Sequence, residues 1–446
     1  MRIVVVGGGE IGYELTRELS VDHIVTVVDS NSDVGRRFES LDVAFIAGSG
    51  TSPDVLARAS VHGSDLLIAC TGLDEVNMVA CALATRVGAR QAICFVSRED
   101  FHGNGSNAQA VRSHFGIERI IWPEAQLADE MVRIIRSPGA IDAEEFADGR
   151  IRLLEFRLDA GSPLTSAPLA ALRLPRSALV VAVKRDNAIN IPRGDTRLTV
   201  NDKVFVMGTP EAMAAIVPMV HAHATSRASQ SVTIIGGGDV GFRLAQRLDD
   251  SDMEIRVIER DLRRGEILAA SLRRALVIHG DGTDLELLEA EGIGHSDVLV
   301  SVIDNDERNL FASLLGRQLG VRRTITRVGR SANLRLFDRV GIDVALSARG
   351  AAVKSLVHDI RGGHAHLLAV LDEGQATIVE LTVPTGFTPQ ALMDLKVPPR
   401  AIVGAIVRGQ EALVPRGADQ VRPQDRLLVF VAADSVHQVR DFFGPS

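Results

Sequence analysis

The sequence is poor in aromatic residues and in cysteine, with one tryptophan, one tyrosine and three cysteines among 446 residues. Cys70, Cys81 and Cys94 have no C-x-x-C spacing, which excludes a disulfide scaffold or a cysteine-ligated zinc site. Cys70 and Cys94 sit in apolar runs, so the three read as small buried hydrophobes in a reducing cytoplasm. Positive charge is also short: 49 Lys and Arg stand against 57 Asp and Glu, a net charge of −8. That excludes the basic footprint that nucleic-acid binding needs. The basic pairs Arg263-Arg264 and Arg322-Arg323 are surrounded by acids and read as solvated helix ends. Long hydrophobic runs are missing too. The segment Ala212 to Val220 is interrupted by Pro218 and falls short of the ~20 residues of a membrane span. The chain opens directly on an expected strand, Arg2 to Val6, and no signal peptide is expected. His221-x-His223 and His364-x-His366 lack neighbouring ligands at useful spacing and read as surface histidines, so no metal is expected.

What is abundant is glycine, 40 residues, within a chain that is 46% hydrophobic. Tight turns and aliphatic strands of that kind suit parallel sheets covered by helices on both faces. The length suits about two to four domains.

The chain repeats itself. VVVGGGEIGYELTREL, from Val4, is echoed by TIIGGGDVGFRLAQRL, from Thr233. VTVVDS (Val25 to Ser30) matches IRVIER (Ile255 to Arg260). AGSGTSPDVLARASVHGSDLLIAC matches HGDGTDLELLEAEGIGHSDVLVSV, and LDEVNMVACALATRVGA matches NDERNLFASLLGRQLGV. About 120 residues of each half align. A second repeat follows each of these, marked by Pro192-Arg193-Gly194 and Pro415-Arg416-Gly417 ahead of an alternating apolar strand. These read as small α+β domains, with the polar stretch His221 to Gln230 as linker. The expected order is A–B–A′–B′: residues 1–136, 145–221, 231–360 and 364–446. The fold class is α/β, with two doubly wound parallel-sheet domains, each followed by a small α+β domain.

In each A unit a strand runs into G-x-G-x-x-G: Gly7, Gly9, Gly12 and Gly236, Gly238, Gly241. The first glycine makes the tight turn, the second lets backbone approach a pyrophosphate, and the third lets helix and strand pack closely. The helix begins at once, at Glu10-Ile11 and Asp239-Val240, and offers free N–H groups to a phosphate. An acid ends the second strand, Asp29 or Glu259. It would accept ribose hydroxyls and repel a 2′-phosphate, favouring NAD-type ligands or ATP over NADP. Packing glycines with no ligand are the plainer alternative. Small-residue turns, Gly48-Ser49-Gly50-Thr51 and Gly280-Asp281-Gly282-Thr283, end strand three beside the crevice. Thr71-Gly72 and Ile303-Asp304 end strand four on the same rim. No His–Asp or Ser/Tyr–Lys constellation accompanies the motif, and Tyr13, the only tyrosine, lies on the first helix. No catalytic residue is therefore expected.

The A–B–A′–B′ order, the opening MRIVVVGGGEIGYELTREL, the LDEVNMVACALA segment and SPGAIDAEEFADGRI (Ser137 to Ile151) together resemble the regulatory subunits of Trk potassium-uptake systems, the TrkA family. The resemblance covers essentially the whole chain. It implies Rossmann-like RCK-N domains alternating with RCK-C domains, and NAD(H), with ADP or ATP in some members, bound in the N domains. It further implies a homotetrameric ring, without a span of its own, docked on the cytoplasmic face of the inner membrane beneath a TrkH- or TrkG-type potassium transporter. Family members often carry a basic residue at the end of the fifth strand. The second unit has Arg327 there. The first has Phe95, so Arg98 would have to substitute from a different position. An NAD-dependent oxidoreductase, and a nucleotide sensor serving another cation transporter or channel, are the competing readings.

Overall fold

The computed structural model describes residues 1–98, 101, 106–186, 188–220, 231–361, 367–371, 375–432 and 435–443. The expected linker at His221 to Gln230 and both His-x-His pairs lie outside the described residues.

The first lobe runs β1 (Arg2–Val6), α1 (Glu10–Leu19), β2 (Ile24–Asp29), β3 (Ala44–Ala47), α2 (Pro53–Arg58) and β4 (Leu66–Ala69). It continues with α3 (Asp74–Val87), β5 (Gln91–Phe95), α4 (Ser106–His114), β6 (Arg119–Ile121) and α5 (Pro123–Ile135). The six strands are parallel, in the order β3-β2-β1-β4-β5-β6. This is a doubly wound Rossmann-like sheet, whose order reverses between β1 and β4 and opens a crevice at the strands' carboxyl ends. The sequence requires it: β4 is buried throughout and β1 at four of five positions, as strands covered on both faces must be. On α1, Gly12, Leu15, Thr16 and Leu19 form the buried stripe.

A small antiparallel sheet follows, built from β7 (Asp142–Phe146), β8 (Ile151–Arg157), β9 (Ala178–Arg185), β10 (Ala188–Asn190) and β11 (Lys203–Gly208). Its order is β10-β9-β11-β8-β7, and α6 (Pro210–Val220) comes next. The second lobe repeats the first: β12 (Ser231–Ile235), α7 (Asp239–Asp249), β13 (Glu254–Glu259), α8 (Leu262–Ser271), β14 (Leu276–His279), α9 (Leu285–Ala290) and β15 (Val298–Ser301). It closes with α10 (Asp306–Leu319), β16 (Arg323–Arg327), α11 (Leu334–Val340), β17 (Val344–Leu346) and α12 (Ala348–Arg361), in the sheet order β14-β13-β12-β15-β16-β17. The last segment holds β18 (Leu367–Leu371), β19 (Ala376–Thr382), β20 (Gln390–Ala391), β21 (Ala401–Arg408), β22 (Glu411–Leu413), β23 (Gln420–Val421), β24 (Arg426–Ala432) and α13 (Val436–Phe443). Its main sheet is β18-β19-β24-β21-β22.

Compactness does not follow chain order. One unit joins residues 1–129 with 231–357, and the other joins 130–230 with 358–446. In the first unit each Rossmann-like lobe keeps its own apolar core, around Leu67 and Trp122 in one and Leu299 and Leu288 in the other. In the second unit the two antiparallel sheets share one core, where Phe205, Met207, Ile378 and Phe430 meet and the Phe205 and Phe430 rings lie 6.0 Å apart. Each small domain also carries a forked ion pair. Arg185 donates to Asp202 at 2.8 and 2.7 Å, and Arg408 to Asp425 at 2.8 and 2.8 Å, with both carboxylates buried. Among the described residues no helix is long and apolar enough to cross a membrane.

Candidate nucleotide-binding sites

The glycine turns divide their work as steric chemistry demands. A Cβ on Gly12 would lie 1.8 Å from the Gly7 carbonyl oxygen, and one on Gly241 1.9 Å from that of Gly236, so the third glycine of each motif belongs to the fold. Gly7 and Gly236 have φ of +108° and +100°, the left-handed region that only glycine enters freely. A Cβ on Gly9 or Gly238 would meet nothing within 4 Å. The second glycine is thus not required by packing. It leaves open space at the positive end of α1 and α7, where a phosphate fits. Gly9 and Gly238 cap those helices with no side-chain hydrogen bond, leaving the first N–H groups for a ligand.

The acid after the second strand is held in place. Asp29 accepts from the Gly8 N–H at 2.6 Å and the Asn31 N–H at 2.8 Å; Glu259 accepts from Gly237 at 2.6 Å and Asp261 at 2.7 Å. Each carboxylate fixes the glycine turn and keeps acceptor capacity for ribose hydroxyls. The third-strand turns pack on the first strand: a Cβ on Gly50 or Gly282 would come within 2.1 Å of Val6 or Ile235. Ser49 and Thr51 bond each other at 2.8 Å. Asp281 is held by Thr283 at 2.7 Å and by Arg308 at 2.6 Å. Burial would raise the Asp281 pKa, but Thr283 and Arg308 outweigh it and hold the carboxyl below its usual range.

Two residues missed by sequence reasoning set the rim. Asn77 accepts from the Thr71 N–H at 2.8 Å and donates to the Thr71 and Phe95 carbonyls, both at 3.0 Å. Asn309 does the same at Ile303 and Arg327. Each asparagine ties the end of the fourth strand to the end of the fifth. The signal was present in the repeated LDEVN and NDERN segments, but spacing alone does not reveal it.

The second lobe opens on a cavity of about 380 Å³, which gathers Gly236, Gly238, Asp239, Val240, Glu259, Gly280, Asp281, Gly282 and Arg327. Gly241 and Thr283 do not line it. The first lobe's cavity, about 510 Å³, gathers Gly9, Glu10, Ile11 and Thr71. Gly7, Gly12, Asp29 and the turn Gly48 to Thr51 do not line this one. Both cavities are composite. Ser97 and Glu124 of the first lobe reach the second cavity, while Asp304, Arg327 and Arg349 of the second lobe reach the first.

This arrangement changes the account of Arg98. It does not line the first cavity; its guanidinium stacks on Phe101 at 5.2 Å and lies 4.0 Å from Glu75. The cations beside Phe95 come instead from the opposite lobe. Arg327 pairs with Asp304 at 3.0 Å, and Arg349 bonds Glu10. Glu124 is half-buried, and its Oε2 is buried with no hydrogen-bond partner among the described residues. Burial foremost, with Asp239 and Asp304 adding to it, pushes its pKa up, against the pull of its own backbone N–H and Arg327.

Cys70 lines the first cavity, but its thiol is buried against the Gly7 carbonyl at 3.5 Å, and burial pushes its pKa up to about 12. Tyr13 packs edge-on against Phe38 at 5.5 Å under Arg37. Among the described residues no group of three or more His, Cys, Asp or Glu is placed to hold a metal ion.

Residues 3–123 and 232–348 match the model of the TrkA-N domain, and residues 153–220 and 377–444 that of the TrkA-C domain. The chain belongs to the TrkA family. Its relatives in that family are matched over full length. It is 36% identical to the Trk system potassium uptake protein TrkA homolog 1 of Methanosarcina mazei, covering 99% of this chain and 100% of that one. It is 34% identical to the TrkA homolog of Archaeoglobus fulgidus, over 99% and 100%. The TrkA of Halomonas elongata is 31% identical over 97% and 96%. Among solved structures, the GsuK RCK domain superposes with a TM-score of 0.59 at 19% identity, covering 98% of this chain and 94% of that one. The GsuK channel bound to NAD gives 0.59 at 18%, over 98% and 78%. At that identity the likeness carries the TrkA-type RCK fold alone.

Proposed function

We propose that this chain is the cytoplasmic, nucleotide-sensing regulatory subunit of a Trk-type potassium uptake system. It works as a homotetramer on the inner membrane's cytoplasmic face and gates a TrkH- or TrkG-type transporter when NAD(H), ADP or ATP binds. The observation carrying this reading is the pair of glycine cradles, each open at its second glycine beside an uncapped helix and closed by a fixed carboxylate. When bound, the nucleotide supplies charge and shape. The chain's residues do the rest: Gly9 and Gly238 admit the pyrophosphate, the α1 and α7 N–H groups hold it, and Asp29 and Glu259 orient the ribose. That GsuK has been solved bound to NAD supports the ligand class. No catalytic step is assigned.

Because each cavity takes residues from both lobes, a ligand bound there touches both, and its affinity depends on how they face each other. A ligand shifts such an equilibrium only through its differential affinity for the two arrangements, about 1–3 kcal/mol in typical cases. The test is affinity purification from native membranes in mild detergent, with and without NADH. Co-purification of a multi-pass potassium transporter, in a yield or flux that changes with NADH, is the expected result. Another transporter or channel in its place would reassign the partner. Steady NADH turnover with a soluble metabolite would overturn the regulatory reading.

A further inference from the structure

The two cavities share a wall. Four residues line both: Ser97 and Glu124 of the first lobe, and Asp304 and Arg327 of the second. Of these four only Arg327 carries positive charge. It ends β16, where Asn309 donates to its carbonyl at 3.0 Å, and its side chain, 16% exposed, rests on Asp304 at 3.0 Å. Asp304 is 91% exposed, so water readily replaces the guanidinium there when it turns away. The other cations face one cavity each and are already paired or solvated. Arg349, in the first, bonds Glu10. In the second, Arg308 forks onto Asp281 at 2.6 and 2.7 Å, and Arg260 is exposed. Each cavity also has acids of its own, Glu10 and Asp74 in the first and Asp239, Glu259 and Asp281 in the second.

Resting on the nucleotide reading above, we infer that the two sites compete for Arg327, so that a nucleotide in one lobe weakens binding in the other. A phosphate in either cavity draws the guanidinium off Asp304, because its fork matches phosphate oxygens and the resulting bond is charge-assisted. The enclosed position of Arg327 leaves its charge less screened than that of Arg260. A second anion then meets a guanidinium already taken, with the first ligand's charge behind it. What remains of the shared wall for it is Ser97 and two carboxylates. Glu124 sharpens the effect. Burial foremost, then Asp239 and Asp304, push its pKa up against Arg327, and its Oε2 has no hydrogen-bond partner among the described residues. With Arg327 turned away, that carboxylate stands uncompensated beside whichever cavity is still empty. Each site keeps its own cations and its own helix N-terminus, so each binds when the other is empty. Both filled together is the state that lacks a charge. Linkage makes the weakening equal in both directions.

The test is calorimetric titration of the full chain with ADP, whose pyrophosphate suits both glycine cradles. Gly9→Val and Gly238→Val each block one cradle and leave the other. A Cβ at either position meets nothing within 4 Å, so the fold is expected to survive, as a thermal melt checks. For independent sites, the product of the two stepwise affinities of the unmodified chain equals the product of the two single-site affinities. Here it is expected to fall short by about tenfold. Arg327→Gln should weaken each single site and bring the two products together. Arg327→Lys keeps the charge without the fork and should leave only part of the shortfall; it decides alone if Arg327→Gln fails to fold. Equal products in the unmodified chain, or a shortfall that both Arg327 variants leave unchanged, would overturn the inference and leave the nucleotide reading standing. So would ADP binding to one lobe only, whichever cradle is blocked. Binding at neither lobe would overturn both.

Discussion

The two Rossmann-like lobes agree in what shapes the backbone and differ in the charges set around their glycine turns. Glycine geometry, the carboxylate tied to the glycine turn and the asparagine clip recur almost ångström for ångström. The differences are charged. The second lobe adds Arg308 against Asp281, Arg264 near Asp239 and Arg327 at the end of its fifth strand; the first has Val76, Val34 and Phe95 at the matching positions and draws cations from its neighbour. A duplicated fold therefore constrains its skeleton twice and its surface chemistry not at all. One lobe can supply what the other lacks.

The comparison breaks most visibly at the skeleton. Gly12→Ala and Gly241→Ala drive a methyl group into the preceding turn's carbonyl, and each is expected to cost about 3 kcal/mol or more in thermal or denaturant unfolding. Equal losses would confirm that the lobes share one steric plan; a tolerant lobe would show that its glycine turn can relax.

Next come the small domains. Asp202→Asn and Asp425→Asn each leave a guanidinium without its forked partner and should cost about 2–3 kcal/mol. Burial would raise these two carboxyls, but the arginine hydrogen bonds outweigh it and their pKa values are lowered in the folded state. Their stabilisation is therefore present above the ordinary carboxylate pKa and lost as pH falls through the folded value, a slope the asparagine variants should flatten.

Smaller again is the carboxylate tied to each glycine turn. Asp29→Ala and Glu259→Ala should each weaken nucleotide binding at their own site about tenfold by calorimetry, with little effect at the other except through Arg327. The smallest effect is on Glu124. Its folded pKa is raised, so ionising it costs stability as pH rises above the usual carboxylate range. Glu124→Gln should recover less than about 1 kcal/mol at neutral pH and nothing in acid, while Arg349→Gln shows no such gain.

Much of this was legible in the residues. The alternation of aliphatic strands with i, i+4 helices, and the glycine motif between them, specify the doubly wound sheets because local periodicity and turn chemistry act over a few residues. The carboxylates at Asp29 and Glu259 were legible for the same reason. The composite cavities were not. Glu124 and Arg349 stand more than a hundred residues from the glycine turns they face, and only the packing of one lobe on the other brings them there. Arg98 illustrates the limit. It was the nearest basic residue in sequence to the missing strand-five cation, but proximity along the chain does not decide what reaches a cavity built from two lobes. Asn77 and Asn309 lay inside a visible repeat, yet a side chain that bonds backbone leaves no spacing signature.

The shared core under Phe205 and Phe430 has a consequence for how the molecule is made. Its two sheets come from segments more than a hundred and fifty residues apart, so during synthesis the first sheet emerges long before its partner. At ordinary elongation rates of roughly 5–20 residues per second, that face waits on the order of ten seconds uncovered. Over that interval the nascent chain carries an uncovered apolar face, and the first sheet of a neighbouring nascent chain offers another. Polysomes crowded with this message are thus where two first halves can close on each other before either second half arrives.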